Sequence, residues 1–513
     1  MVRVINFKRI IIMGLCVYIL LTVYFLLSIV PMDLAGGQYS ESGHSWHHGG
    51  KRINIAEKPG DVIIEDNSVN SRLKRLQHAE RKTKLLKPKT SGTPRPTRLR
   101  TVKRRTGDLF QEFVKPSKVH LNFTEIAPDV FAFSAFFDDR YDSSFVRVVA
   151  IAPSGRAKRN TGLYCVFNNN DTTEMVYYET CENHLQANAY YMLSCPVPES
   201  VAMKFDGINP LTIAPSKTAS PSRYKLISVI TNRLRIGSGH ERQMGRFAVC
   251  IPPLFGKINP LRLVEFIELS RLLGSNHFTF YTYFVSEDVM RVLKYYERQG
   301  VVTIMPWYIP VKKKIWYKGQ SAAVGDCLLR NMHINHLVAF NDIDEFIVPR
   351  YNSTWSTFLE YLHQQQSSRG VKTGNIAVYR FKSAFFEVPR HTKAQNASVE
   401  QQRFQLTMDK FVSLSRTRRT TKFSRIRTKM LAYPTRVFEL GIHHLSKQIK
   451  EEYFCLDVKP EVASLHHYRM CDRVYDMSCD EYVQDKTTLK FKYSLVNNTI
   501  RVLKQLKNTD DFV

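Results

Sequence analysis

Residues 337–349 read LVAFNDIDEFIVP. An apolar, strand-like run, Leu337-Val338-Ala339-Phe340, ends abruptly in Asn341-Asp342-Ile343-Asp344-Glu345, and a second apolar run, Phe346-Ile347-Val348, begins at once. Carboxylates inside an apolar run are costly unless paired or bound to a cation. Asp342 and Asp344 stand at i and i+2, so on a strand or its terminal turn they share a side. Two carboxylates so placed suit a hard divalent cation and leave coordination positions open for phosphate oxygens. A lone D-x-D is more often a turn with solvated acids. The flanking apolar runs and the order of elements upstream reverse that preference.

From about Arg246, strands and helices alternate. Phe247-Ala248-Val249-Cys250-Ile251 is a short apolar run that Pro252-Pro253 should stop. A helical pattern follows, with Leu263, Val264, Phe266, Ile267, Leu269, Leu272 and Leu273 on one broad face and Gly274 at its end. Phe278 to Val285 is aromatic and β-prone, and Ser286 is a plausible cap for a helix that carries Val289, Val292, Leu293 and Tyr296 to Gly300. Val301 to Met305 is a further strand, stopped at Pro306-Trp307, and 320–336 is helical in pattern before the Leu337 strand. This β-α-β-α-β-α-β series predicts an α/β fold with an open, mostly parallel, doubly wound sheet. Ligands in such sheets bind beyond the carboxyl ends of the strands. Asp342 and Asp344 lie at one such end, and Pro252-Pro253, Ser286 and Trp307 lie at others. No G-x-x-x-x-G-K-[ST] occurs and no G-x-G-x-x-G follows a strand, which disfavours P-loop enzymes and dinucleotide oxidoreductases.

The rest of the 513 residues frames that body. Ile10 to Val30 is continuously apolar apart from Gly14, Thr22 and Ser28, long enough for one membrane crossing. Arg3, Lys8 and Arg9 precede it, so residues 1–9 are expected in the cytosol and the remainder across the membrane, as an uncleaved signal-anchor. The net charge of +28 invites a nucleic-acid reading, but 14 Lys/Arg against one acid fall between Arg72 and Arg105 alone, in a Pro/Thr/Ser-rich stretch poor in apolar residues. Residues 31–118 therefore read as a disordered basic stem and not as a nucleic-acid-binding surface. Residues 119–245 read as a β-rich accessory domain, 246–480 as the catalytic domain and 481–513 as a C-terminal extension. Cys16 lies in the apolar segment. The other eight cysteines, without a C-x-x-C pair, fit some disulfides in an oxidising compartment. Sequons at Asn122, Asn170, Asn352, Asn396 and Asn497 agree with a luminal body.

A nucleotide-sugar transferase of the GT-A fold fits these features. Cys250-Ile-Pro-Pro-Leu-Phe-Gly256, Leu263-Val-Glu-Phe-Ile-Glu-Leu269, Leu273-Gly-Ser-Asn-His-Phe278, Tyr295-Tyr296, Gly300, Trp307, Gly319-Gln320, Asp326-Cys327 and Asp342-Ile-Asp-Glu-Phe346, with His466-His-Tyr-Arg469 later, form an ordered set. That set resembles glycosyltransferase family 92 over residues 245–475. The resemblance implies a metal-dependent inverting transferase of the Golgi membrane. It also implies galactose carried from UDP-galactose to a glycan acceptor, such as fucose of an N-glycan core.

In such a reaction negative charge builds on the departing nucleoside diphosphate, and a cation held by Asp342 and Asp344 would offset it. Oxygen ligands and diphosphate chemistry suit Mn2+ or Mg2+. Asp344 is the favoured direct ligand, with Asp342 reaching the ribose or binding the metal through water. A late histidine commonly completes such sites. Of His443-His444 and His466-His467, His444 is placed first, with His443 beside it and His467 as rival. Inversion needs a carboxylate to deprotonate the acceptor hydroxyl, and Glu387 is placed ahead of Glu345. Pro252, Pro253, Gln320, Asp326 and Asp342 are expected at the nucleotide sugar. Arg425, Arg427 and Lys429 are candidates for its phosphates, although alternating charge on an exposed strand reads the same way. The rival function is a non-catalytic luminal glycan-binding protein or a decayed transferase.

Overall fold

The Leu337 strand is paired on both sides. In the computed structural model, which describes residues 122–155, 162–167, 171–202, 210–232, 246–387, 406–471 and 476–508, it is an inner strand of a nine-stranded sheet. The tail, the anchor at 10–30 and the stem lie outside the described residues, as do Asn170 and Asn396. Among the described residues no helix is long and apolar enough to cross a membrane.

Three strands of the N-terminal region bear on the site: β1 (Val130–Asp138), β2 (Phe145–Pro153) and β3 (Asn188–Pro196). They run antiparallel, β1 beside β2 and β2 beside β3. The alternating elements follow as β4 (Phe247–Leu254), α1 (Pro260–Leu272), β5 (Ser275–Thr282), α2 (Glu287–Arg298), β6 (Val302–Pro306), α3 (Gln320–Arg330) and β7 (Leu337–Phe340). Beyond the acidic motif come β8 (Glu345–Pro349), β9 (Ile376–Phe385), β10 (Ser424–Ala432), β11 (Phe454–Val458), β12 (Ala463–His467) and α4 (Lys492–Asn508).

The sheet order is β6-β5-β4-β7-β10-β9-β12-β8, with β11 also on β9. The first four strands are parallel to one another, as the β/α alternation predicts. The expectation of a mostly parallel sheet holds only in part, because beyond them parallel and antiparallel pairs are mixed. β10 pairs antiparallel with both β7 and β9, and β8 pairs antiparallel with β12, so the whole sheet is mixed. β9 in turn pairs parallel with both β11 and β12, and a helix at Trp355–Ser367 lies between β8 and β9.

Period-two burial divides each parallel strand between two cores. Phe247, Val249, Ile251, Phe278, Phe280, Leu337 and Ala339 face α1, α2 and α4. Ala248, Cys250, Tyr281, Val338 and Phe340 face α3 and, with it, Phe133, Phe136, Val149, Ile151, Tyr190 and Met192 from β1–β3. Each fully buried Phe contributes about 2–3 kcal/mol of apolar transfer, so the N-terminal sheet is fastened to the α/β body by a shared core. Asn259 caps α1 by accepting from Leu261 N (2.9 Å), and Ser286 caps α2 by accepting from Val289 N (3.4 Å). Disulfides join Cys165 to Cys195, Cys250 to Cys327 and Cys471 to Cys479; Cys181 and Cys455 are free.

Candidate active site

The four parallel strands end together at Leu254, Thr282, Pro306 and Phe340, and Asn341-Asp342-Ile343-Asp344 leaves that edge as a tight turn into β8. The turn is closed from both ends. Glu345 N donates to Asp342 O (3.1 Å), and Asp342 N donates to Glu345 Oε2 (3.0 Å). Ile343 packs toward the helical core, while Asp342 and Asp344 stay partly open, with 37% and 40% of their side-chain surface exposed.

Behind the turn lies a buried cation that the sequence disguised. Arg425 is exposed and Arg427 half-buried, but by Lys429 strand β10 has entered the sheet, and only 4% of the lysine side chain remains exposed. Its Nζ donates to Asp342 Oδ2 (2.8 Å) and lies 3.1 Å from Glu345 Oε2. Burial by itself would lower the Lys429 pKa; Asp342 and Glu345 overcome that and push it up. Burial by itself would raise Glu345; the Lys429 ammonium and then His467 overcome that and hold it below the usual carboxylate range.

His467, at the end of β12 and opposite Glu345 in register, completes the cluster. Its Nε2 lies 3.4 Å from Asp344 Oδ2 and its Nδ1 3.6 Å from Glu345 Oε1. The Phe385 ring stacks on it at 4.9 Å. Two buried polar atoms here have no hydrogen-bond partner, His467 Nδ1 and Asn341 Oδ1. Arg262 and Arg416 lie close enough to Asp344 for its charge to act on both.

These residues fit a divalent cation bound by few protein ligands. An Asp344 oxygen and an imidazole nitrogen 3.4 Å apart lie a few tenths of an ångström beyond the spacing of two adjacent ligands around an octahedral ion with bonds of about 2.1 Å, near enough for one ion to take both, and such ions usually keep one or two protein ligands with phosphate and water in the other positions. Among the described residues no group of three or more His, Cys, Asp and Glu side chains is arranged around one metal position.

The structure moves several sequence assignments. His444 is not on the acidic turn; its Nδ1 lies 3.3 Å from Glu182 Oε1 and its Nε2 3.1 Å from Ser446 Oγ. His443 is held by Thr428 O (2.8 Å), and His466 stacks on Phe386 in the core. Glu345, offered as a base, is committed to Lys429 and Asp342 N and is a poor proton acceptor. Asp326 is fully buried. Its carboxylate accepts two bonds from Arg330 at 2.9 Å, with Ser134 and Tyr281 as further donors, so it is spent on structure and not on a donor sugar. The strand does not stop at Pro252-Pro253; it continues to Leu254 through a register shift that takes up both prolines, Pro253 buried and Pro252 partly so. Such a bulge accommodates residues that donate no ladder hydrogen bond. Gln320 is buried at the start of α3. Glu387 keeps 42% of its side chain exposed, pairs with Arg418 at 3.2 Å and lies two residues beyond Phe385.

Sequence reasoning missed an aromatic ridge on the same edge. Phe255, Phe284, Tyr308, Trp316 and Tyr317 follow or flank the ends of β4, β5 and β6 and are all exposed. Phe255 meets Tyr317 at 5.5 Å, and Phe284 meets Tyr308 at 5.4 Å. Phe284, Tyr317 and Lys318 hold positive φ, a strain that residues with side chains keep only where the surroundings enforce it. The signal was Ile315-Trp316-Tyr317-Lys318-Gly319, bulky apolar residues in what otherwise reads as a loop.

A family model described as glycosyltransferase family 92 matches residues 245–510, a span that takes in α4. The chain is 29% identical over 372 residues to beta-1,4-galactosyltransferase galt-1 of Caenorhabditis elegans, covering 70% of this chain and 79% of that protein. It is 24% identical over 233 residues to the glycosyltransferase family 92 protein F13G3.3 of the same organism, covering 43% of this chain and 41% of that protein. Among solved structures, glucosyl-3-phosphoglycerate synthase from Mycobacterium tuberculosis aligns at 12% identity over 51% of this chain and 80% of that chain, with a TM-score of 0.22.

Proposed function

The chain belongs to glycosyltransferase family 92, and from that premise we propose that it is a metal-dependent, inverting hexosyltransferase of the Golgi lumen. It takes galactose from UDP-galactose and places it on a glycan acceptor, fucose of an N-glycan core being the first to test. The observation that carries this reading is the Asp342–Glu345 turn at the carboxyl edge of four parallel strands, with His467 Nε2 3.4 Å from Asp344 Oδ2. The β6-β5-β4-β7 order with its acidic exit supports a GT-A-like nucleotide-sugar site, because ligands of open α/β sheets bind beyond the carboxyl ends of the strands. Galactose is supported by the likeness to a relative named as a beta-1,4-galactosyltransferase. The lumen is supported by the apolar segment at 10–30, the sequons and the three disulfides.

Asp344 and His467 would hold Mn2+ or Mg2+, which supplies positive charge to the departing diphosphate. This chain's own groups do the remaining work. Arg262 and Arg416 add fixed positive charge beside Asp344. The aromatic ridge offers ring faces to the nucleotide. Asp342, held at one oxygen by Lys429, keeps its other oxygen for the ribose. Glu387, partly exposed past Phe385, is placed to take the proton of the acceptor hydroxyl.

The test uses the full-length protein in detergent with a panel of nucleotide sugars, Mn2+ and a core-fucosylated glycan. UDP-galactose should be consumed, EDTA should stop the reaction, and Asp344→Asn should lose at least two orders of magnitude in turnover, the scale on which electrostatic groups at the reacting centre act. Transfer that persists in EDTA, or an Asp344→Asn protein as active as the native one, would remove the basis of the proposal.

A further inference from the structure

Three acids crowd the turn, Asp342, Asp344 and Glu345, and one buried ammonium answers them. Lys429 is not one of the exposed phosphate-facing cations that its alternation with Arg425 and Arg427 suggested. It sits beneath the turn, 2.8 Å from Asp342 Oδ2 and 3.1 Å from Glu345 Oε2, with 4% of its side chain exposed. A buried lysine is tolerated only when paired and hydrogen-bonded, so its position is set by both carboxylates and it sets theirs. Glu345 is thereby held inside, and Asp342 is tied at one oxygen although it stays as open as Asp344. Asp344 is the one without a hydrogen bond to the ammonium, and His467 stands beside it at 3.4 Å.

We propose that Lys429 is a positioning residue that acts as a built-in counter-cation. It ties one oxygen of Asp342 and leaves Asp344 free of the ammonium, and it cancels enough negative charge that a divalent ion binds the free protein weakly and binds firmly only together with a diphosphate. This rests on the metal-dependent reading given above. The three carboxylates and Lys429 carry a net −2. Replacing the lysine by a neutral residue leaves −3, replacing Glu345 by glutamine leaves −1, and replacing both restores −2. Charge separations of a few ångströms in a partly buried site act strongly on a doubly charged ion, so the ranking of Mn2+ affinities should follow that arithmetic.

The experiment measures Mn2+ binding to the full-length protein by electron paramagnetic resonance, with and without UDP, for the native chain, Lys429→Gln, Glu345→Gln and the double variant. Lys429→Gln should bind Mn2+ without UDP about tenfold more tightly or better and should gain less from UDP. Glu345→Gln should bind more weakly than native, the double variant should return to the native value, and Lys429→Arg should behave as native. A lysine that serves the fold alone would give the opposite, with every loss of the pair weakening Mn2+ binding, and that order overturns the proposal. Should Lys429→Gln fail to fold, the comparison of Glu345→Gln with the double variant carries the same test, because restored affinity in the double variant requires the charge account. A native protein that binds Mn2+ neither alone nor with UDP would overturn the metal-dependent reading itself. Native binding with the wrong order among variants would overturn only the role of Lys429.

Discussion

Asp326→Asn separates a structural carboxylate from a donor-binding one. The native group is fully buried and accepts two bonds from Arg330 at 2.9 Å, and Ser134 of β1 and Tyr281 of β5 donate to the same two oxygens. The asparagine keeps the shape but removes the charge and turns one acceptor into a donor that faces existing donors. Breaking a buried pair by removing one partner costs about 3–5 kcal/mol. Arg330 keeps 17% of its side chain exposed, so its stranded charge is partly relieved by water and the lower end, about 3 kcal/mol, is expected. In a chain of this size that corresponds to a fall of roughly 3–4 °C in Tm, readable by circular dichroism on heating. At temperatures where the variant is folded, its KM for the nucleotide sugar should match the native value. An Asp326→Asn protein with native Tm and a raised donor KM would refute the structural assignment and return Asp326 to the donor site.

His467→Ala should abolish Mn2+ binding in the presence of UDP while His444→Ala leaves it intact, as calorimetry would show, because His467 adjoins Asp344 and His444 is engaged with Glu182 and Ser446. Gly325→Ala should destabilise by about 1–3 kcal/mol or more, visible in thermal melts, since a Cβ on this face of α3 would overlap the Tyr190 side chain of β3. Acid should weaken the fold below neutrality. Burial holds His277 down from 6.5 to about 4 and His466 to about 3, so between pH 6.5 and these values the unfolded chain binds more protons and stability falls as pH falls. Melts should drop from pH 6.5 toward 4, and His277→Asn should flatten part of that slope.

The parallel half of the sheet could be read from the sequence because its signals are local. Each strand is an apolar run, each helix a period of 3.6 with a cap, and Asn259, Ser286 and Gly274 mark the ends. The other half, where parallel and antiparallel pairs mix, could not, because its strands are defined by partners far away. β10 belongs between β7 and β9, yet Arg425, Arg427 and Lys429 alternate as they would on any exposed edge. Lys429 finds Asp342 87 residues away in sequence, and no local pattern announces such a pairing. Asp326 was different. Arg330 stands at i+4 on the same helix, the spacing of an intrahelical ion pair, and that signal competed with its place near the motif. His466-His467 shows the limit of reading a dipeptide. Adjacent strand residues face opposite ways, so one histidine stacks in the core on Phe386 and the other reaches Asp344, and only the register of β12 on β8 decides which.

The stiffness of the acidic turn follows from what encloses it. An acidic turn in water would be held by two backbone bonds at most. Here Glu345 is driven into the sheet as the first residue of β8, Lys429 arrives from β10 to meet it, and Tyr468 N donates to Asp344 O at 2.9 Å from the end of β12. Three strands that the sequence does not link locally therefore converge on four residues. Losing any one contact would leave a buried charge or an open turn, which costs more than the contact itself contributes. On the proposed function, Asp344 would present its carboxylate from a backbone already held in place when a phosphate arrives, and preorganised charge of this kind stabilises a transition state without a cost at the moment of reaction.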